Sequence, residues 1–242
     1  MLFRLIRTEA MKLKRAPVWL AFLVLPILPA LMGSLNYQAN IGILQEQWWS
    51  LWTQHTLFTV YFFLPLTIGI GCAYIMRQEQ QQHNWNKLLS MPLPKAEIFL
   101  AKLICAGAML LLCLLWIGPL FVLSGKLLGL TAPLPVKELC TWLLFGTLGG
   151  MVLCSSQLLL SLLMSSFALP VGISLACGIS ALVFLAKDMG HIWPWALMAY
   201  GLNSNAPQQL METGRLSFVV ICLIYTALFS ALGCFAMSRR DN

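Results

Sequence analysis

Residues 98–123 read IFLAKLICAGAMLLLCLLWIGPLFVL, an apolar run interrupted by one charge, Lys102. A helix that crosses a bilayer needs about 20 mostly apolar residues, and this run exceeds that length. Five more runs of the same kind surround it. Pro17–Leu35 and Leu57–Met76 precede it; Leu139–Met164, Phe167–Ala186 and Leu216–Met237 follow it, and none of these five holds a charged residue. Lys102 sits near the start of its run, where a long side chain snorkels to the interface. Only Ser165 and Ser166 separate the fourth run from the fifth. Pro170 suits the first turn of a new helix, so a tight helical hairpin is expected there. The pattern predicts an all-α membrane protein with six transmembrane helices.

Composition agrees with this reading. The 242 residues are 60% hydrophobic and 10% charged, whereas soluble domains carry about 25% charged residues. A chain this apolar needs the bilayer as its solvent. The net charge of +7 does not point to nucleic acid. Binders of nucleic acid gather basic residues on a solvated face, and here they flank apolar runs.

The basic residues instead report orientation. Arg4, Arg7, Lys12, Lys14, Arg15, Arg77, Lys87, Lys95, Lys102, Arg239 and Arg240 fall on one side of a six-span plan. Lys126, Lys137, Lys187 and Arg215 fall on the other. The positive-inside rule then places both termini in the cytoplasm. The first apolar run is too long for an ordinary signal peptide and lacks a clean small-x-small cleavage site, so it reads as an uncleaved span. The eight cysteines lie within or at the start of apolar runs, with no Cys-x-x-Cys spacing. They read as small buried hydrophobes.

Residues 1–15 form an amphipathic helix in projection. Leu2, Leu5, Ile6, Ala10 and Leu13 share one side, and Arg4, Arg7, Lys14 and Arg15 the other. Such a helix lies in the membrane interface. Glu9 projects into the apolar sector. Either it snorkels or pairs with a nearby base, or it contacts another subunit or the cytoplasmic loop. Two outer segments are rich in aromatics: Gln47–Leu57 with Trp48, Trp49 and Trp52, and His191–Tyr200 with Trp193, Trp195 and Tyr200. They read as an aromatic belt or, alternatively, as a lid that meets an amphipathic substrate. Pro26, Pro29, Pro65 and Pro119 predict kinks within spans. Gly69, Gly71, Gly146, Gly149 and Gly150 predict close helix packing. Gln157 is expected to make a helix–helix hydrogen bond.

Several chemistries are absent from the sequence. No Asp, Glu or His lies well inside the apolar runs, which argues against a proton-coupled carrier. His55, His83 and His191 are scattered and flank the runs, with no His-Glu-x-x-His motif. That leaves a zinc peptidase unsupported, and a membrane protease with paired Glu and His within spans is likewise disfavoured. No Gly-x-x-x-x-Gly-Lys-Ser/Thr loop is present, so an ATP motor of that kind must be a separate chain.

The longest polar stretch is residues 77–97, RQEQQQHNWNKLLSMPLPKAE. Within it Trp85, Leu88 and Leu89 recur at i, i+3 and i+4, the spacing of a short helix with an apolar stripe. Pro92 and Pro94 end it. Such a helix either rests on lipid headgroups or seats its apolar knob in a cytoplasmic partner, whose movement would tilt the second and third spans.

Two stretches carry a resemblance: RTEAMKLKRAPVW at residues 7–19, and EQQQHNWNKLLSMPLPK at residues 79–95 followed by Ile98, Phe99 and Lys102. On these the chain resembles the membrane subunit of a type 2 ABC exporter, most nearly the lantibiotic (bacteriocin) self-immunity permeases. The resemblance implies that residues 1–242 form one such transmembrane domain in a bacterial cell membrane. It implies a coupling helix carrying Trp85, Asn86, Leu88, Leu89 and Pro92, with Glu79 and Lys95 holding the loop. Glu9, Lys12, Lys14 and Arg15 would belong to a connecting helix beside it. It further implies a cytoplasmic ATPase partner that holds the ATP and magnesium, with no cofactor in this chain. A second permease chain, identical or related, would complete the pathway. The substrate would be a cationic amphipathic antimicrobial peptide expelled from the producer's membrane, with membrane lipid around it. The alternatives are a permease for another amphipathic drug such as a bacitracin-like peptide, or a membrane immunity factor that transports nothing.

Overall fold

The computed structural model describes residues 1–80, 94–204 and 214–239. Six of its helical segments are long and apolar enough to cross a membrane. The first span is Val18–Ala39, divided into α2 (Val18–Val24) and α3 (Ile27–Ala39). The division falls at Pro26, and Pro29 occupies the first turn of α3, where a missing N–H costs no intrahelical bond. An amphipathic helix, α1 (Leu2–Leu13), precedes it.

The second span is longer than its apolar run. It extends over Trp48–Gln80, as α4 (Trp48–Phe58), a π-helical turn (Thr59–Phe63) and α5 (Leu64–Gln80). The π-helical turn lies just before Pro65, whose ring and missing N–H disrupt a regular α ladder. Ser174 donates to the Pro65 carbonyl at 2.6 Å. Gly178 permits this close approach, since a Cβ there would lie 2.7 Å from the Pro65 ring.

The third span is α6 (Lys95–Leu127), continuous through Pro119. The fourth is α7 (Val136–Leu163) and the fifth α8 (Ala168–Ala186), so the tight hairpin expected around Ser165 is present. A short helix, α9 (Ala196–Gly201), precedes the sixth span, α10 (Arg215–Arg239).

The spans are not equivalent. In the second and third, 67% of the most apolar window is buried within the chain, against 22% in the fifth and 17% in the sixth. Spans two to four therefore form the interior. The fifth and sixth leave most of their surface uncovered by the rest of the described chain.

The outer aromatic segments pack largely into the chain, with Trp195 buried and Trp49, Trp193 and Tyr200 half-buried. Trp52 is fully buried and Trp48 nearly so. Trp52 stacks on Trp142 at 4.8 Å and meets Phe121 edge-on at 5.0 Å, while Trp48 meets Phe121 at 5.4 Å. The Trp52 indole N–H donates to the Leu202 carbonyl at 2.8 Å. Stretch 48–56 contains Trp, His, Gln and Thr, which mask a span from a hydropathy reading although other helices cover them. His55 accordingly lies inside the second span, 2% exposed, and does not flank it. The segment around α9 folds inward onto α7. Gly149 allows this, since a Cβ there would lie 2.4 Å from the Leu197 carbonyl oxygen. Trp193 stacks on Phe184 at 4.7 Å.

Two smaller expectations also change. Cys140 is exposed, whereas five of the other cysteines are buried. Gln157 is fully buried, yet neither its amide N nor its amide O has a hydrogen-bond partner.

Candidate functional site

Four charged side chains meet where the second span ends and the third begins. Glu79 lies in the last turn of α5, Lys102 in the third turn of α6, and Glu9 and Lys12 one turn apart on α1. The apolar face of α1 packs against α6. That docking turns Glu9, which shares the apolar face, inward. Lys102 Nζ donates to Glu79 Oε1 at 2.8 Å and to Glu9 Oε2 at 2.9 Å. Lys12 Nζ donates to Glu9 Oε1 at 2.7 Å and also to Glu79 Oε1. The four groups thus close a ring in which each ammonium bridges both carboxylates. Two positive and two negative charges leave it formally neutral.

Burial grades across the ring. Lys102 is fully buried, Glu79 is 4% exposed and Glu9 is 6% exposed, whereas the Lys12 side chain remains one-third open at 33%. A buried charge without a partner costs several kcal/mol, and pairing with good geometry offsets that cost. Burial alone would lower the proton affinity of Lys12. The Glu9 and Glu79 carboxylates outweigh it and hold the Lys12 pKa above the ordinary lysine value of 10.5.

The ring joins three elements that are far apart in sequence. It ties α1 to the helix that enters residues 81–93 and to the helix that leaves them. Further contacts brace the same end. Gln80 Nε2 donates to the Ser161 and Met164 carbonyls at 3.1 and 3.2 Å. The Arg77 guanidinium lies over the Phe167 ring at 5.5 Å. The chemistry is that of a structural clamp. The carboxylates are already taken by ammonium groups, and no cluster suited to a metal ion occurs among the described residues.

The residues singled out in the sequence distribute as follows. Glu9, Lys12 and Glu79 come together in the ring. Lys14 and Arg15 lie exposed just past the end of α1, and Lys95 opens α6. Trp85, Asn86, Leu88, Leu89 and Pro92, with the coupling helix they were expected to form, lie outside the described residues. For Glu9, pairing with nearby bases is the reading that holds. For Lys102, snorkelling does not hold, because its ammonium turns inward to two carboxylates instead of outward to the interface. A signal for this partnership was present in two anomalies of opposite sign: an acid on the apolar face of α1 and a lone base in the third apolar run.

Residues 5–181 match a family model described as ABC-2 family transporter protein. Among curated proteins, none matches the chain.

Proposed function

The chain belongs to the ABC-2 family of transporter proteins, and from that premise we propose that it is the permease of an ATP-driven exporter that expels a lantibiotic-like peptide in self-immunity. The chain is a membrane-embedded transport permease and not a catalytic enzyme, and members of its family work with a nucleotide-binding ATPase in multi-subunit complexes. The choice of a cationic amphipathic peptide follows the resemblance of residues 7–19 and 79–95 to immunity permeases.

The proposed coupling route rests on the charged ring. In this reading Trp85, Leu88 and Leu89 seat in the ATPase, with Asn86 and Pro92 shaping the same short helix and Lys95 closing it. Both ends of that segment lead directly to the ring, through Glu79 on one side and Lys102 on the other. A push on residues 81–93 then reaches α1 and the two innermost spans together, because the ring resists separation of its members. Lys12, Lys14 and Arg15 serve on the connecting helix, and both termini face the cytoplasm with the ATPase. The whole chain acts as one transmembrane domain, paired with a second permease chain.

The decisive experiment is co-purification of the ATPase with the Trp85→Ala, Leu89→Ala double variant. ATPase recovery is expected to fall away while the permease still inserts at normal yield. Undiminished recovery would overturn the coupling assignment. Reporters fused to each terminus check the orientation: both are expected to report a cytoplasmic location.

A further inference from the structure

A second feature of α1 lies on the flank beside its buried face. Arg7, Ala10, Met11 and Lys14 recur at i, i+3, i+4 and i+7, so they form one stripe along the helix. The two basic residues sit about 10 Å apart at its ends, with small and apolar side chains between them. This stripe forms one wall of an open groove of about 390 Å³. Cys105, Ala108 and Leu112 of α6 form the facing wall, and Trp19 closes one end. Volumes of roughly 300–1,000 Å³ are typical of sites for small amphipathic molecules.

The geometry is that of a surface with two chemistries. The α6 wall descends from the level of α1 toward the middle of the membrane, about 10 Å between Cys105 and Leu112. It offers only apolar side chains and one thiol. Leu112 is 54% exposed. The rim carries Arg7 and Lys14, and neither has an acidic partner among the described residues. The acids of α1 and α5 nearest to them, Glu9 and Glu79, are committed to Lys12 and Lys102. The rim is therefore a pair of uncompensated cations above an apolar trough.

We propose that this groove binds one anionic diacyl phospholipid, its phosphate between Arg7 and Lys14 and an acyl chain along Ala108 and Leu112. Charge decides among occupants. A cationic peptide is repelled by the rim. A second copy of the chain meeting itself through this stripe would bring the cations of one copy against those of the other, since an isologous contact uses the same patch on both chains. A zwitterionic lipid fills the trough but gains less at the rim, since basic residues near a membrane surface favour net negative headgroups. The bound lipid would hold α1 to the third span from the side opposite the charged ring.

Native mass spectrometry of the full-length permease, released from vesicles of equal dioleoylphosphatidylglycerol and dioleoylphosphatidylcholine, tests this. One phosphatidylglycerol is expected to remain bound in roughly tenfold preference. Arg7→Gln with Lys14→Gln should abolish the preference, and Arg7→Lys with Lys14→Arg should keep it. Ala108→Trp, which fills the trough, should remove the retained lipid of either kind. Glycerol phosphate, a headgroup without chains, should not compete. Equal retention of the two lipids by the unaltered chain would overturn the proposal, as would a preference that survives the double glutamine variant. A dimer lost on Ala108→Trp with lipid retention unchanged would assign the groove to a contact between copies instead. The glutamine variants lie on an exposed flank, so their test does not depend on the tolerance of position 108.

Discussion

The same two innermost spans are held together differently at their two ends. At one end Glu79 and Lys102 meet through ion pairs, joined by Glu9 and Lys12 from α1. At the other, about 28 Å along α6, Phe121 receives Trp48, Trp52 and His55 edge-on, and Trp142 stacks on Trp52. The aromatic end is cumulative. Each ring contributes buried area and roughly 0.5–1.5 kcal/mol of pair energy, so loss of one leaves the rest in place. The charged end is conditional. The buried Lys102 ammonium is tolerable only because both carboxylates are present, and removal of a buried member strands the others. A joint of that kind responds sharply to displacement and suits the end nearest the polar segment at residues 81–93.

The largest break in this comparison comes from Lys102→Met. It leaves Glu79 and Glu9 with only the one-third-open Lys12 and should destabilise the protein by about 3–5 kcal/mol. Thermal unfolding in detergent, followed by the monodisperse fraction, measures this. Adding Glu79→Gln should restore part of the loss, because members of one network are not additive. An equal or greater loss in the double variant would mean that the ring is not a charge-balanced unit.

At the aromatic end Trp52→Phe retains a ring but loses the bond to the Leu202 carbonyl. A loss of about 1–2 kcal/mol is expected in the same assay. The effect of Trp49→Phe, whose ring meets Trp142 edge-on at 5.3 Å, should add to it in a graded way, in contrast to the ring.

Between the two ends, Gln157→Leu removes a buried amide without partners. It is expected to raise stability by about 1 kcal/mol, since an unsatisfied amide costs more than an apolar group of similar size. A fall in the unfolding midpoint would show that the amide is satisfied in the working protein.

The smallest effect belongs to Lys12→Met, at about 1 kcal/mol or less, because its side chain stays partly in water. Its pH dependence has a defined sign. The folded pKa is raised, so the contribution of Lys12 is fully present below the ordinary lysine value of 10.5 that the unfolded chain keeps. It disappears as pH rises through the higher folded value. Unfolding curves of the unaltered chain and the variant should run parallel at neutral pH and converge only in strong alkali.

Much of the architecture is visible in the order of residues. Five of the six apolar runs coincide closely with spans, and the hairpin at Ser165 and Pro170 is where local chemistry puts it. The exception is instructive. The second span begins nine residues before its apolar run, at Trp48, because hydropathy registers what dissolves in lipid, whereas Trp48, Trp52, His55 and Thr56 are buried within the chain. Of the site, Glu9, Lys12 and Glu79 were legible as unusual or motif-like residues. Lys102 was visible as a charge but not as the centre of the ring. A partner 93 positions away leaves no periodic trace, whereas helix formation and apolar length are local properties.

The chain alone therefore determined that the protein is an all-α membrane protein with six spans and an amphipathic leading helix. Length and burial of apolar runs require no knowledge of neighbours. Only the tertiary structure decided which charges are buried together. It also decided that Trp48, Trp52 and Trp195 are core and that one flank of α1 faces an open groove. Each of these depends on which helix lies beside which, a relation that a one-dimensional pattern of polarity does not encode.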